Sequence, residues 1–110
     1  MGIFAGQTVA FSTTFTNPGT GAAENVSSYT ITGKLIGQEE QSDGSTTMLE
    51  ISLSEDAASD TVNGVYVGLA AAADTANLKR GTASVQMKAV SGGVTLYSEI
   101  ITTTVLAPLV

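Results

Sequence analysis

Apolar and polar residues alternate along most of this chain, and the alternation predicts β-strands. Within residues 8–16, Val9, Phe11 and Phe15 fall on one face, with Thr13 between them. A period of two residues is typical of a strand that is buried on one side. Further strands are predicted at residues 28–36, 47–53, 62–69, 82–90 and 94–105. The residues expected on their aligned apolar faces are Tyr29, Ile31 and Leu35, then Leu49, Ile51 and Leu53, then Val65, Val67 and Leu69, and then Val85, Met87 and Ala89.

Turn-forming and acidic segments separate these strands. Asn, Pro and Gly break the pattern at residues 17–21, where each of them favours a turn. Residues 37–46 are polar and acidic and predict a loop, in which Asp43-Gly44 suits a turn with positive φ. Residues 54–60 predict an acidic loop with room for one helical turn capped by Ser54. The Ala-rich residues 70–78 predict one short helical turn.

Two positions leave alternatives open. Gly33 lies inside a predicted strand and indicates either a bulge or a close backbone approach. The apolar residues of the last strand have mixed parity, since Val94, Leu96 and Ile100 fall on one face and Tyr97, Ile101 and Val105 on the other. Either both faces of this strand are covered, or a β-bulge near Ser98-Glu99 switches the buried face.

Short strands at steady spacing with Gly-rich turns predict an all-β fold, a single antiparallel β-sandwich. The chain of 110 residues has the size of one domain, so residues 1–110 are expected to form it. Both ends are apolar, at about residues 1–6 and 106–110, and either pack on their own domain or dock on a neighbouring subunit. The candidate subunit contacts are Ile3, Phe4, Leu106, Leu109 and Val110. We expect removal of residues 106–110 to weaken assembly more than folding.

The residue types present argue against catalysis. His and Cys are absent, so the chain lacks the commonest general base, the thiol nucleophile and the usual soft metal ligands. We therefore predict no enzyme activity, no catalytic residue, no cofactor and no resident metal. Glu55, Asp56 and Asp60 leave one alternative open, because hard cations such as calcium bind oxygen ligands in loops. Solvated acidic side chains are the simpler interpretation of that loop.

Charge and targeting signals restrict the partners. The net charge of −6 disfavours binding to nucleic acid or to anionic membranes. Charged residues make up 13% of the chain, about half the usual share, which suits contacts with other protein subunits. Residues 1–6 lack the basic start and long apolar stretch of a signal peptide, so we expect synthesis in a cytoplasm.

Six segments at turn and strand positions carry a family resemblance, namely Gly6-Gln7-Thr8, Val26-Ser27-Ser28-Tyr29, Gly64-Val65-Tyr66-Val67, Asp74-Thr75-Ala76-Asn77-Leu78, Gly81 and Gly92-Gly93. With them the chain resembles the small immunoglobulin-like β-sandwich proteins of tailed bacteriophages, including the N-terminal domain of phage baseplate upper proteins. The resemblance covers most of the chain and implies an Ig-like antiparallel sandwich with a structural role in the virion. Baseplate upper proteins continue into a longer partner-binding region, whereas this sequence stops at Val110, which favours a free-standing decoration or adaptor protein.

The expected function is therefore that of a structural virion protein made in the host cytoplasm. A capsid decoration or cement protein on the major capsid lattice is the first hypothesis, with many copies in a symmetric assembly or a homo-oligomer. A tail, neck or baseplate adaptor is the alternative. A carbohydrate-binding or adhesin module is the third, and it would need exposed aromatics among Tyr29, Tyr66 and Tyr97.

Overall fold

The computed structural model describes residues 2–109, and at Glu40 it describes the backbone alone. The strands are β1 (Gly2–Phe4), β2 (Val9–Thr14), β3 (Thr30–Glu40), β4 (Thr46–Glu55), β5 (Val65–Ala70), β6 (Gly81–Ser91), β7 (Val94–Tyr97) and β8 (Ile101–Leu106). A turn of 3-10 helix covers Thr61–Asn63, and the helix α1 covers Ala72–Thr75. Strands dominate the described chain, so the predicted all-β class is confirmed.

The strands form one sheet that nearly closes on itself. Its order is β1-β8-β6-β3-β4-β5-β2, and β7 also pairs with β6. The pairs are antiparallel except that of β1 with β8, which is parallel. The two edge strands, β1 and β2, follow each other in sequence across residues 5–8. A single short connection therefore spans the gap between the two edges.

The strand β4 takes part in both halves of this sheet. Its pairs with β3 end at Leu53, and Ser54 and Glu55 then pair with β5. A strand that changes partner along its length carries the sheet round a corner, here from β3 to β5. The helical turn predicted for residues 54–60 is therefore wrong, because the first part of that segment continues β4 and the 3-10 helix begins only at Thr61.

The core lies between the two halves of the sheet. Its largest fully buried side chains come from both halves and include Phe11 on β2, Leu35 on β3 and Met87 on β6. A Cβ built on Gly68 of β5 would lie 3.4 Å from Met87 Cε, so β5 and β6 face each other across the core. Burial of each such large side chain stabilises the fold by about 1.5–3 kcal/mol.

Most of the predicted apolar faces point into this core, but β5 does not. Val9, Phe11 and Phe15 are buried as predicted, with Thr13 between them. In β5, Tyr66 is 2% exposed, whereas the residues on either side of it are only half-buried. The aligned valines of β5 thus occupy the opposite face, because small neighbours at positions 68 and 70 leave room inside for the tyrosine ring.

A β-bulge divides the last predicted strand into β7 and β8. At the end of β7, Tyr97 pairs with Lys88. At the start of β8, Ile101 pairs with Val85. Three residues of this segment therefore oppose two residues of β6, which is the geometry of a bulge. The bulge switches the buried parity at the position that the sequence indicated, and it decides between the two alternatives for this strand.

Gly33 lies in regular ladders and not in a bulge. It pairs with Leu53 on one side and with Met87 on the other. A Cβ at this position would lie 3.1 Å from side-chain carbons of both partners. The glycine therefore gives these two core side chains room, and the alternative of a bulge there is wrong.

Two further segments differ from the sequence-based expectation. Residues 37–40 were expected in a loop, but they continue β3 and pair with β4, so the loop shortens to residues 41–45. The N-terminal segment was expected as an extension, but Gly2–Phe4 forms β1. Both strands form because a neighbouring strand offers unpaired backbone groups, which sequence periodicity does not report.

The helix α1 is shorter than the predicted segment 70–78 and anchors the connection between the sheet edges. Thr75 is fully buried, and its hydroxyl donates a hydrogen bond to the Gln7 carbonyl at 2.7 Å, while the Ala72 carbonyl lies 3.2 Å from the same oxygen. Because Gln7 lies between β1 and β2, this contact holds the link against the rest of the fold.

Candidate interaction surfaces

The two ends of the described chain meet at one edge of the sheet. Phe4 of β1 lies opposite Leu106 of β8 in the parallel ladder, and the Ala5 N–H donates to the Leu106 carbonyl at 2.9 Å. Phe4 is 45% exposed, Leu106 is 39% exposed and Leu109 is fully exposed. We call these three side chains the terminal surface. Three of the predicted contact residues are thus brought together although they are distant in sequence.

The other two predicted contacts are placed differently. Ile3 is 1% exposed and belongs to the core, so its own domain already covers it. Its side chain points inward because β1 alternates like any strand, with Phe4 outward. Val110 lies outside the described residues. Ile3 therefore packs on its own domain, whereas Phe4 stays exposed, and its contact with a neighbouring subunit stays a prediction.

A concave depression of about 560 Å³ adjoins the terminal surface. Its lining comes from both ends of the chain, namely Phe4, Ala5, Gly6, Gln7, Pro108 and Leu109. The Gln7 side chain closes the turn after β1, since its Oε1 accepts the Phe4 N–H at 3.0 Å. The depression is therefore shaped by hydrogen-bonded backbone on one side and by an exposed leucine on the other.

A second concavity lies on the outer face of the sheet, over β3, β6 and the bulge. It measures about 410 Å³ and we call it the outer groove. The side chains that point outward into it are Thr32, Lys34, Ile36, Ser84, Gln86, Lys88, Tyr97 and Ile100. Tyr97 is 61% exposed and Ile100 is 62% exposed, so two large apolar groups stand at one border.

The β-bulge builds this border. Ser98 is 5% exposed, and its Oγ accepts the buried Met87 N–H at 2.9 Å. The Ser98 N–H donates to the Met87 carbonyl, also at 2.9 Å, and the Gln86 amide donates to the Ser98 carbonyl at 3.0 Å. Because Ser98 points inward while the additional residue follows it, Tyr97 and Ile100 both face outward. Bulges commonly re-aim side chains in this manner.

Basic charge is concentrated in the outer groove. Lys34 and Lys88 are two of the four basic residues in a chain of net charge −6. Lys34 Nζ lies 3.3 Å from Glu50 Oε2, with both side chains about half exposed. Lys88 Nζ lies 5.8 Å from the centre of the Tyr97 ring, and among the side chains that the structure describes no carboxylate forms an ion pair with it. The sequence did not single out this pair of lysines, because strand residues far apart in sequence bring them together.

An acidic two-stranded arm projects from the same sheet. The arm comprises residues 37–49, where β3 and β4 extend beyond the last β3–β6 pair, Ile36 with Ser84. Residues 41–48 are all exposed, including Met48 at 70%. The molecule measures 47 × 25 × 19 Å, and its radius of gyration of 15.2 Å exceeds the roughly 13 Å of a compact domain of this size.

The turn at the end of the arm is well defined. Gly44 has a φ of +86°, as the Asp43-Gly44 pair predicted. Asp43 Oδ1 accepts hydrogen bonds from the Ser45 hydroxyl at 2.6 Å and from the Ser45 N–H at 2.9 Å. These two bonds lower the pKa of the Asp43 carboxyl below its ordinary value, the hydroxyl contributing most. The arm thus presents a charged carboxylate at its tip.

The acidic loop does not form a metal site within the part of the chain that the structure describes. Asp56 Oδ2 accepts the Ala58 N–H at 3.0 Å, and Asp60 Oδ2 accepts the Asn63 amide at 2.8 Å. No group of three acidic side chains there is arranged to hold a metal ion. The carboxylates that suggested calcium are used to close their own turns.

The three tyrosines do not share a surface. Tyr66 is buried, Tyr29 is half-buried against the core, and Tyr97 is exposed at the outer groove. Burial, and secondarily the charge of Glu55, raises the pKa of the Tyr66 hydroxyl. Tyr97 faces outward because it alternates with the buried Leu96 in β7.

Comparison of the chain with protein-family models, curated proteins and solved structures found no match in any of the three. Among residues 2–109, none of the helices has the length and apolarity required to cross a membrane. Function must therefore be argued from the surfaces described above.

Proposed function

We propose that this protein is a non-enzymatic structural protein of a bacteriophage virion, a capsid decoration protein that binds the major capsid lattice in many copies. The observation that carries the proposal is the terminal surface, where Phe4, Leu106 and Leu109 come together and stay exposed. Clustered exposed apolar groups are typical of protein–protein contacts. The low share of charged residues and the absence of His and Cys support a binding role over a catalytic one.

An immunoglobulin-like sandwich is part of the same proposal. In such sandwiches the C, F and G strands form one sheet, and B, E and D are neighbours in the other. If β2 is taken as B, then β3-β6-β8 has the order C-F-G and β2-β5-β4 has the order B-E-D. Two strands depart from that scheme, since β1 lies beside β8 and not beside β2, and most of β4 pairs with β3 and only its end with β5. The resemblance of the sequence to phage sandwich proteins supports the same assignment.

Two other roles are weighed against decoration. A tail, neck or baseplate adaptor would use the same terminal surface, and it differs in copy number. A carbohydrate-binding module has less support, because Tyr97 is the only one of the three tyrosines that is exposed. Sugar-binding proteins use exposed aromatic faces, and a single ring offers little stacking area.

The first experiment is quantitative mass spectrometry of purified particles of the parent phage. A decoration protein is expected at on the order of hundreds of copies, because icosahedral symmetry multiplies each site. A small multiple of the tail symmetry would instead assign the protein to the neck, tail or baseplate. Absence from the particle would contradict a virion role of either kind.

A binding assay then tests the terminal surface. Phe4→Ser combined with Leu109→Ser should weaken co-sedimentation with particles that lack the protein, by about tenfold or more if these side chains are central to the contact. Val62→Ser is the matched control, since Val62 is 60% exposed and lies in the 3-10 helix. Equal binding of the double variant and the control would exclude the terminal surface as the contact.

A further inference from the structure

We propose that the arm of one copy docks in the outer groove of a second copy, so that the protein self-associates head to tail. This interaction goes beyond the proposed virion role and does not depend on it. The arm is residues 37–49 and the groove is bordered by Lys34, Lys88, Tyr97 and Ile100. The occupant is thus a segment of this same chain.

Charge complementarity selects this pairing. The arm contains three acidic residues, Glu39, Glu40 and Asp43, and no basic residue. The groove contains Lys34 and Lys88. Lys34 is already paired with Glu50 at 3.3 Å, so Lys88 supplies the positive charge that the arm can meet. Opposite potentials on two patches of the same molecule favour contact between them, and like potentials disfavour arm against arm. Groove against groove is disfavoured for the same reason.

Apolar complementarity accompanies the charges. Met48 is 70% exposed on the arm, and Tyr97 and Ile100 are exposed at the groove. Methionine adapts its shape to irregular surfaces and packs favourably against aromatic rings. The arm therefore offers both a carboxylate and a flexible apolar group, and the groove offers an ammonium group and an aromatic ring.

The contact must form between copies and not within one. The arm continues β3 away from the groove, and residues 37–40, at about 3.3 Å each, carry the turn roughly 13 Å beyond Ile36. Folding the tip back over its own groove would break the pairs from Gly37 with Leu49 to Glu40 with Thr46. The rigid ladder therefore keeps the tip available to a neighbour.

The symmetry of this contact gives a distinctive expectation. Arm and groove are different patches, so a pair joined by one such contact still has one free arm and one free groove. Head-to-tail contacts of this kind add further copies and build rings or open chains. A single hairpin in a groove of this size buries less area than a stable interface needs, so association should be weak and should grow with concentration.

Two complementary variants test the proposal by analytical ultracentrifugation of the whole chain. The groove variant carries Lys88→Glu with Tyr97→Ser, and the arm variant carries Asp43→Asn with Met48→Ser, because asparagine keeps the Oδ1 acceptor of the turn and removes the charge. The unaltered protein should show a mass that rises past the dimer between micromolar and millimolar concentration. Each variant alone should stay monomeric, whereas an equimolar mixture should form dimers and nothing larger, because it retains one intact arm and one intact groove.

A matched control and a folding check make the result decisive. Arg80→Glu with Val62→Ser changes the same kinds of exposed residue outside both patches, and it should associate like the unaltered protein. All variants should keep the same circular dichroism spectrum, because the altered side chains are exposed. An unaltered protein that stays monomeric at millimolar concentration overturns the proposal. So does self-association that survives in the arm variant, or a mixture of the two variants that stays monomeric.

Discussion

Single side chains at the β-bulge show how a local irregularity is made stable. A bulge interrupts the regular ladder, and the N–H of Met87 would have no backbone partner there. Ser98 Oγ accepts that N–H at 2.9 Å inside the core, and the serine side chain is small enough to fit. One buried hydroxyl therefore compensates for the missing ladder bond.

Ser98→Ala should destabilise the fold by about 1–3 kcal/mol. The substitution leaves the Met87 N–H buried without its acceptor, and that is the cost of an unsatisfied buried donor. Urea denaturation of both proteins measures the difference in the free energy of unfolding. Ser12→Ala on the exposed face of β2 is the control and should stay within about 0.5 kcal/mol. Equal values for the two variants would show that the Ser98 hydroxyl has no structural role.

At the scale of elements, periodicity predicted the strands that bury one face. It failed where a neighbouring strand determines whether a segment pairs into the sheet. The alternation in β2 is followed throughout, and the mixed parity of the last strand correctly indicated the bulge. The strand β1 has only three residues, too few to show a period, and it forms because β8 offers a free edge. The bend of β4 at Leu53 is likewise a tertiary effect, since the end of β4 pairs with β5.

The sequence predicted the residues of the terminal surface, but not the outer groove or the arm. Apolarity alone identified Phe4, Leu106 and Leu109, and strand alternation separates the outward Phe4 from the inward Ile3 once β1 is recognised. The outer groove was not predictable, because its lysines and its apolar border come from strands that are distant in sequence. The arm was not predictable from the sequence either. Its residues are mostly polar, so a search for strands with one buried face assigns them to a loop.

The contact between α1 and the link after β1 is the element-scale prediction. Thr75→Val keeps the shape of the side chain but removes the hydroxyl that donates to the part-buried Gln7 carbonyl. We expect a loss of about 0.5–1.5 kcal/mol in the free energy of unfolding, as for an ordinary hydrogen bond. Hydrogen exchange should also be faster in β1, because the link that holds the two sheet edges is released. Unchanged hydrogen-exchange rates in β1 would show that Thr75 does not hold the link after β1 in place.

At the scale of the whole molecule, near closure of the sheet leaves few free edges and places the chain ends together. A closed sheet has no free edge at which strands of two molecules could pair and aggregate. The free strand edges that remain here belong to short strands or run along the arm. The exposed apolar groups that remain are therefore candidates for specific contacts. The terminal surface and the outer groove lie on different elements, so a particle contact and a contact between copies are compatible in one molecule.

Truncation at two positions separates folding from docking at the C-terminal end. Removing residues 107–110 leaves β8 and its pair with Phe4 intact, so the free energy of unfolding should change by less than about 0.5 kcal/mol. Removal from Leu106 onward also deletes the acceptor of the Ala5 N–H, and should cost about 0.5–1.5 kcal/mol more. Both truncations delete Leu109, so both should weaken binding to particles, and the longer one should weaken it more because it also deletes Leu106 of the terminal surface. Unfolding curves and co-sedimentation measure the two effects separately. If the shorter truncation lowered stability as much as binding, the tail would serve its own domain and the terminal surface would lose its assigned role.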